Sequence, residues 1–209
     1  MIREVKRVIY GRTTLPESWV FAGGDRETKL PIILSVFLIV TERKRILVDA
    51  GCETMPGFEL RDFRTPMEAL RDLGVAPESI TDLVLTHAHH DHIECAKYFS
   101  NAVVYIQEKE AAAGGKYLQE CKKMQTFDQR LVIDDGVVAV CIGGHAKGSS
   151  VVECSLQDEV IVLAGDECYT SYNLIHRVPT ASTRNPENSR QFIEKYTQPP
   201  YRCWLCHDM

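Results

Sequence analysis

The chain has 209 residues, with 24 lysines and arginines against 29 aspartates and glutamates, a formal net charge of -5. That length suits one domain with a full apolar core, and the acidic balance offers no broad basic footprint, which argues against DNA or RNA as a partner. The start Met1-Ile2-Arg3-Glu4-Val5-Lys6-Arg7 has no apolar h-region, and the longest apolar run, Pro31 to Val40, is too short for a bilayer, so no membrane role and a cytoplasmic protein are expected.

In chain order, Val5 to Leu15 is predicted as a strand and Pro16 to Leu30, with Gly23-Gly24-Asp25, as a loop. Pro31 to Thr41 and Arg45 to Asp49 read as a hairpin about the charged turn Glu42-Arg43-Lys44. A second loop, Gly51 to Phe63, leads to a helix from about Thr65, where Met67, Leu70 and Leu73 keep helical spacing until Gly74 and Pro77 stop it. Phe58 and Phe63 in that loop either shape substrate access or cover the core. Thr81 to Thr86 is a short buried strand, Asp91 to Phe99 a helix, Ala102 to Gln107 a strand, and Glu108 to Lys123 a charged helix weakened by Gly114-Gly115. Leu131 to Ile133, Val137 to Ile142, Ser150 to Leu156 and Val160 to Ala164 are strands. Asn185 to Tyr196 is a last helix and Tyr201 to Leu205 a last strand. Strands in two halves, each with helices after it, predict an α+β sandwich of two sheets with helices outside, in one domain over residues 1–209.

The densest chemistry is His87-Ala88-His89-His90-Asp91-His92, an HxHxDH frame. His145, Asp166 and His207 follow, each just after an apolar strand-like run, so the candidate ligands fall at strand ends. Two divalent ions held about 3.5 to 4 Å apart need many neutral nitrogen donors and a bridging carboxylate. Five imidazoles with Asp91 and Asp166 supply that set, and Asp166 is the natural bridge. A lone histidine is more often part of a polar surface turn, but so many ligand types in one frame reverse the balance. His90 and His176 fit no ligand position and are expected to be structural or exposed. Two Zn²⁺ ions are the expected cofactor on the imidazole count, with iron or manganese able to occupy similar frames.

Eight cysteines, at 52, 95, 121, 141, 154, 168, 203 and 206, show no paired spacing and are expected to be reduced thiols. Cys203-Trp204-Leu205-Cys206-His207 formally matches a CxxCH haem attachment site. No export signal precedes it and His207 already serves as a candidate metal ligand, so Cys203 and Cys206 are expected to be ordinary strand residues, with a redox-sensitive pair as the alternative.

In its order of HxHxDH, His, Asp and His, the chain resembles the metallo-β-lactamase superfamily, from Leu47-Val48-Asp49-Ala50-Gly51 to His207. The resemblance implies an αββα sandwich of two mixed sheets. It implies His87, His89 and His145 on a first metal, Asp91, His92 and His207 on a second, Asp166 between them, and Asp49 steadying the ligand loop. Asp166-Glu167-Cys168-Tyr169 and the run Lys29-Leu30-Pro31-Ile32 are similar to the N-acyl homoserine lactone lactonases. That similarity implies quorum-quenching hydrolysis of a small-molecule lactone or ester, with Tyr169 hydrogen-bonding the substrate carbonyl and Asp91 shuttling a proton to the leaving alkoxide. Tyr169 as a helix-start residue packing its ring inward is the bland alternative. A glyoxalase II-like thioesterase or a phosphodiesterase would use the same ligands but would want positive groups for its anionic substrate. Glu94 and Lys147 are expected to face solvent, and a homodimer is one option for the oligomeric state.

Overall fold

Along the strand Lys29–Thr41, Val36 and Leu38 join one apolar cluster while Phe37 and Ile39 join another. That is the consequence of a two-residue side-chain period in a strand buried on both faces. The computed structural model describes residues 1–209. Strands β1 (Ile2–Pro16), β2 (Lys29–Thr41), β3 (Arg45–Val48), β4 (Asp82–Leu85), β5 (Val103–Gln107) and β6 (Met124–Phe127) form one six-stranded sheet in that order. β1 to β3 are antiparallel neighbours and β3 to β6 parallel ones. Strands β7 (Arg130–Asp134), β8 (Val137–Cys141), β9 (Ser150–Ser155), β10 (Val160–Leu163) and β11 (Tyr201–Trp204) form the second sheet, in the order β11-β10-β9-β8-β7. Only β10 and β11 are parallel there, so both sheets are mixed.

Phe37, Ile39, Val84, Ala139, Val152 and Leu163 meet between the sheets. The helices are α1 (Glu17–Val20), α2 (Pro66–Asp72), α3 (His90–Ile93), α4 (Glu108–Ala113), α5 (Gly115–Leu118), α6 (Ser171–Ile175) and α7 (Pro186–Tyr196). Met67, Ala69 and Leu70 of α2 and Ile93 of α3 cover the outer face of the first sheet, beside Val8, Leu47 and Leu83. On the other side Phe192, Ile193 and Tyr196 of α7 cover Val151, Val162 and Leu205. Each of these side chains contributes on the order of 1.5–3 kcal/mol by leaving water. The layers are therefore helix, sheet, sheet, helix, the expected αββα sandwich.

A polar seam ties the two sheets at one end. Asp134 of β7 accepts from Thr41 Oγ1 at 2.7 Å and from Arg43 Nη2 at 2.8 Å, and Lys44 Nζ donates to Asp82 Oδ1 and to the Ile133 carbonyl, both at 2.9 Å. Helix α2 starts where the sequence indicates, with Thr65 and Glu68 forming a reciprocal capping box and Gly74 at φ 75° just past its end.

Several elements differ from expectation. β1 begins at Ile2 and is longer than its apolar stretch, because it pairs along nearly the whole of β2. The segment expected to be a loop from Pro16 to Leu30 contains α1 and supplies the start of β2. The helix expected over Glu108 to Lys123 breaks at Gly114 into α4 and α5, and the chain then enters β6, a polar edge strand with too few apolar residues to announce itself. The helix expected over Asp91 to Phe99 is one α turn, α3, followed by a 3₁₀ turn over Glu94–Tyr98. Helix α6 begins two residues past Tyr169, where the sequence offers a helix start only as the alternative reading. No helix is long and apolar enough to cross a membrane.

Candidate metal centre and active site

The site forms where β3, β4, β10 and β11 end along one edge of the sandwich. Past β3 the chain turns through Asp49, a non-glycine residue at φ 62° and only 2% exposed. One Asp49 oxygen accepts from the Thr86 amide at 2.8 Å and the other from His92 Nδ1 at 2.7 Å. Residues rarely keep a left-handed backbone without compensation, and here it lets one carboxylate grip two ligand-bearing segments. Thr86 Oγ1 donates to the same carboxylate and lies 3.0 Å from His87 Nδ1, while His207 Nδ1 donates to the Ile33 carbonyl at 2.9 Å. Three imidazoles thus spend Nδ1 on the scaffold and turn Nε2 inward.

Those inward nitrogens converge on Asp166. Its Oδ2 lies 3.5 Å from His87 Nε2 and 3.3 Å from His145 Nε2, and its Oδ1 lies 3.1 Å from His92 Nε2 and 3.2 Å from His207 Nε2. His87, His89, His145 and Asp166 offer donor atoms all within 4.8 Å of one another, and His92, Asp166, Cys206 and His207 do the same. Asp91 Oδ2 stands 3.7 Å from His92 Nε2 and 3.8 Å from His207 Nε2. Gly165, at φ 51°, permits this approach, because a Cβ there would lie 2.9 Å from Thr86 Oγ1.

His87 Nε2 and His92 Nε2 are buried with no hydrogen-bond partner, an arrangement that costs free energy unless something electropositive satisfies them. Burial favours the neutral form of His92, yet Asp166 and Asp49 outweigh it and hold its pKa well above the ordinary value. The enclosure therefore carries a negative potential that buried divalent ions would satisfy. His145 is pushed down to about 3 by burial in spite of Asp166, with the neighbouring His87, His89 and His92 adding to the drop. Two ions sharing Asp166 fit the residues present.

All eight candidates sit about this centre. Tyr169 is nearly buried, with its ring 5.9 Å from that of His145 and 5.2 Å from that of His207. Its hydroxyl lies 3.3 Å from Ser182 Oγ, which is 3.4 Å from His145 Nδ1. Burial, then the charge of Asp166, raise its pKa well above that of an ordinary phenol, which keeps it a donor. A cavity of about 370 Å³ opens beside it, with His89, Asp91, Asp166 and His207 on its floor. Leu15, Trp19, Ile32, Met55, Pro56 and Phe58 form its apolar wall, and neither lysine nor arginine lines it.

The sequence missed several positioning groups. Glu167 is fully buried, and its carboxylate accepts from the amides of Gly144 and His145 and from Ser149 Oγ. Glu110 accepts from the Ala88 and Gly148 amides, so it joins the HxHxDH loop to the His145 loop. Glu94 does not simply face solvent: its Oε2 accepts from the Glu53 amide at 2.7 Å and lies 3.2 Å from His90 Nε2. His90 also bonds Tyr117 and the Thr54 carbonyl, which anchors the loop bearing Met55 and Phe58. Phe58 borders the cavity and Phe63 packs on the core beside Tyr10. His176 is exposed with its ring tilted against that of Tyr172, and Lys147 is exposed outside the cavity. All eight cysteines are free thiols.

A family model for the metallo-β-lactamase superfamily matches residues 31–201. The N-acyl homoserine lactonase AiiB of Agrobacterium fabrum is 25% identical over 183 residues, 69% of this chain and 66% of that protein, just under two thirds of its length. An N-acyl homoserine lactonase of Bacillus cereus is 29% identical over 208 residues, 86% of this chain and 82% of that protein. An N-acyl homoserine lactone hydrolase solved with the product N-hexanoyl-L-homoserine at its catalytic metal centre superposes with a TM-score of 0.85 over 100% of this chain and 94% of that one. At 20% identity this likeness shows a common fold.

Proposed function

Because the chain belongs to the metallo-β-lactamase superfamily, we propose that it is a metal-dependent hydrolase that opens a lactone such as an N-acyl homoserine lactone at a dinuclear centre. The first ion would be held by His87, His89 and His145, the second by Asp91, His92 and His207, with Asp166 offering one oxygen to each. Five imidazoles favour zinc. When bound, such a pair supplies Lewis acidity and a water acidified to near-neutral pKa.

The chain's own residues do the rest. The apolar wall of the cavity takes the hydrocarbon part of the substrate and excludes water from the floor. Tyr169 donates to the carbonyl oxygen as it gains charge. Ser182 and the flanking His145 and His207 rings fix its direction. Asp91, on the cavity floor, carries a proton to the departing alkoxide.

One observation carries the substrate class: Tyr169 and Asp166 line one cavity that has an apolar wall and no lysine or arginine. A glutathione-like thioester or a phosphodiester would bring negative charge to a pocket without a cationic side chain to meet it. The test is a panel of acyl-homoserine lactone, acyl thioester, phosphodiester and β-lactam substrates with zinc-loaded protein. The lactone is expected to be turned over fastest, and brisk thioester hydrolysis without lactone hydrolysis would overturn the assignment.

A further inference from the structure

Of the two thiols that belong to a set of candidate donors, Cys206 is the one whose set includes Asp166. Its Sγ belongs to a set of four donor atoms, with His92 Nε2, Asp166 Oδ1 and His207 Nε2, that all lie within 4.8 Å of one another. With Asp91 the site has five donors, and an ion about 2.0–2.1 Å from nitrogen and oxygen and about 2.3 Å from sulfur places five-coordinate donors roughly 2.9 to 3.8 Å apart where they are not opposite one another. Around Asp166 Oδ1 the corresponding separations are 3.1 Å to His92, 3.2 Å to His207 and 3.5 Å to Cys206 Sγ.

The thiol is also held in place. Ser35 Oγ donates to the Cys206 carbonyl at 2.6 Å, and the next residue is tied to β2 through Ile33 at both its carbonyl and its imidazole. Cys206 is 1% exposed, belongs to the apolar layer between the sheets, and does not line the cavity. Asp91 meets the same two imidazoles from the cavity side. The sulfur therefore reaches the second ion's position from the interior, where it obstructs no substrate.

We propose that Cys206 is a sulfur ligand of the second ion, which makes that half of the centre a mixed nitrogen, oxygen and thiolate site. The proposal rests on the dinuclear reading above. On binding, the S–H bond now directed at the Gly165 carbonyl (3.3 Å) breaks, the sulfur lone pair goes to the ion and the proton leaves to solvent. Nothing is oxidised or reduced. A soft donor raises affinity for zinc and cobalt over manganese, so this half of the centre discriminates among metals while the first, built on imidazole and carboxylate, does so less.

Titration of metal-free protein with Co²⁺, followed by absorption and elemental analysis, tests this. Two bound ions and a near-ultraviolet thiolate-to-cobalt charge-transfer band are expected. Cys206→Ser should still bind cobalt, by its visible d–d bands, without the charge-transfer band. Its second-site zinc affinity should fall by more than the roughly 10- to 100-fold that loss of an outer hydrogen-bond partner costs, with a smaller change for manganese. Cys206→Ala serves if the serine variant does not fold. Cys52→Ser is the control for the one other thiol near candidate donors, His90 and Glu94, and should keep the band. Two cobalt ions bound without the band, or a band that survives Cys206→Ser, would overturn the sulfur ligand alone. A protein that binds no cobalt would overturn the metal reading and this proposal with it.

Discussion

Asp49 Oδ2 receives the Nδ1 proton of His92 at 2.7 Å, from a backbone held at φ 62°. This pairing fixes which nitrogen of His92 is left for a metal. Asp49→Ala is expected to weaken the second ion by roughly 10- to 100-fold, read by competition with a chelator. Asp49→Gly relieves the backbone strain but supplies no carboxylate, and should lose as much. Full affinity in the glycine variant would show that the turn matters and the carboxylate does not.

Asp166 presents a different oxygen to each half of the centre, so its loss should be felt twice. Elemental analysis of the zinc-loaded protein should approach two ions per chain. Asp166→Ala should lower both occupancies, and His145→Ala chiefly one. A stable stoichiometry of one with full activity would contradict the dinuclear assignment.

At the polar seam between the sheets, Asp134 gives a prediction about pH. Burial works to raise its carboxyl, but the Thr41 hydroxyl, the Asp135 amide and the Arg43 guanidinium outweigh this and bring it down to about 2. A carboxyl depressed in the folded state adds stability that is complete above its ordinary value near 4 and is lost as pH falls through the folded value. The stability gap between the parent and Asp134→Asn should therefore be constant near neutrality and shrink between about pH 4 and pH 2. Urea midpoints at pH 6 and pH 3 measure it, and an equal gap at both would contradict the account.

The part of this site legible in the sequence was the part made of rare residue types at fixed local spacing. His87 to His92 lie within six positions, and His145, Asp166 and His207 each follow an apolar run, so local spacing and ligand chemistry bring these residues forward as candidates. Glu167, Glu110 and Ser182 were invisible for the opposite reason. They are common residues that act across 22, 22 and 37 positions of chain, on His145, Ala88 and His145 respectively. Glu94 was read as solvent-facing because its amide partner at Glu53 lies 41 positions away. In the fold, buried strands such as β4 and β10 announced themselves by unbroken apolar runs. Polar β6 and short α6 did not, since pairing with β5 defines the one and the Thr170–Asn173 cap the other. Cys206 was read as a strand residue, and only folding brings its sulfur to Asp166.

Asp91 has its carboxylate between His92 and His207 and borders the cavity, so it is expected to bind the second ion and to move a proton. Asp91→Asn should lower kcat by about a hundredfold or more, the usual scale for losing acid-base help. The informative substrate is an unactivated lactone, whose leaving alkoxide needs that proton. A variant that keeps both ions and near-normal turnover would remove Asp91 from the proton path.

Tyr169 carries the substrate assignment, because its hydroxyl is a neutral donor in the cavity that Asp166 also lines. Ser182 lies 3.3 Å from that hydroxyl and is available to orient it before substrate arrives, which suits a donor aimed at developing rather than existing charge. Tyr169→Phe should leave metal content and fold unchanged, since the ring and its contacts with His145 and His207 survive. It should lower kcat/KM on lactones by roughly ten- to a thousandfold, up to the cost of a lost oxyanion donor. Ser182→Ala, which frees the hydroxyl to turn without deleting it, should cost less and act mainly on kcat. Equal rates for Tyr169→Phe and parent on acyl-homoserine lactones would show that the hydroxyl does not meet the substrate, and the lactone assignment would lose its main support.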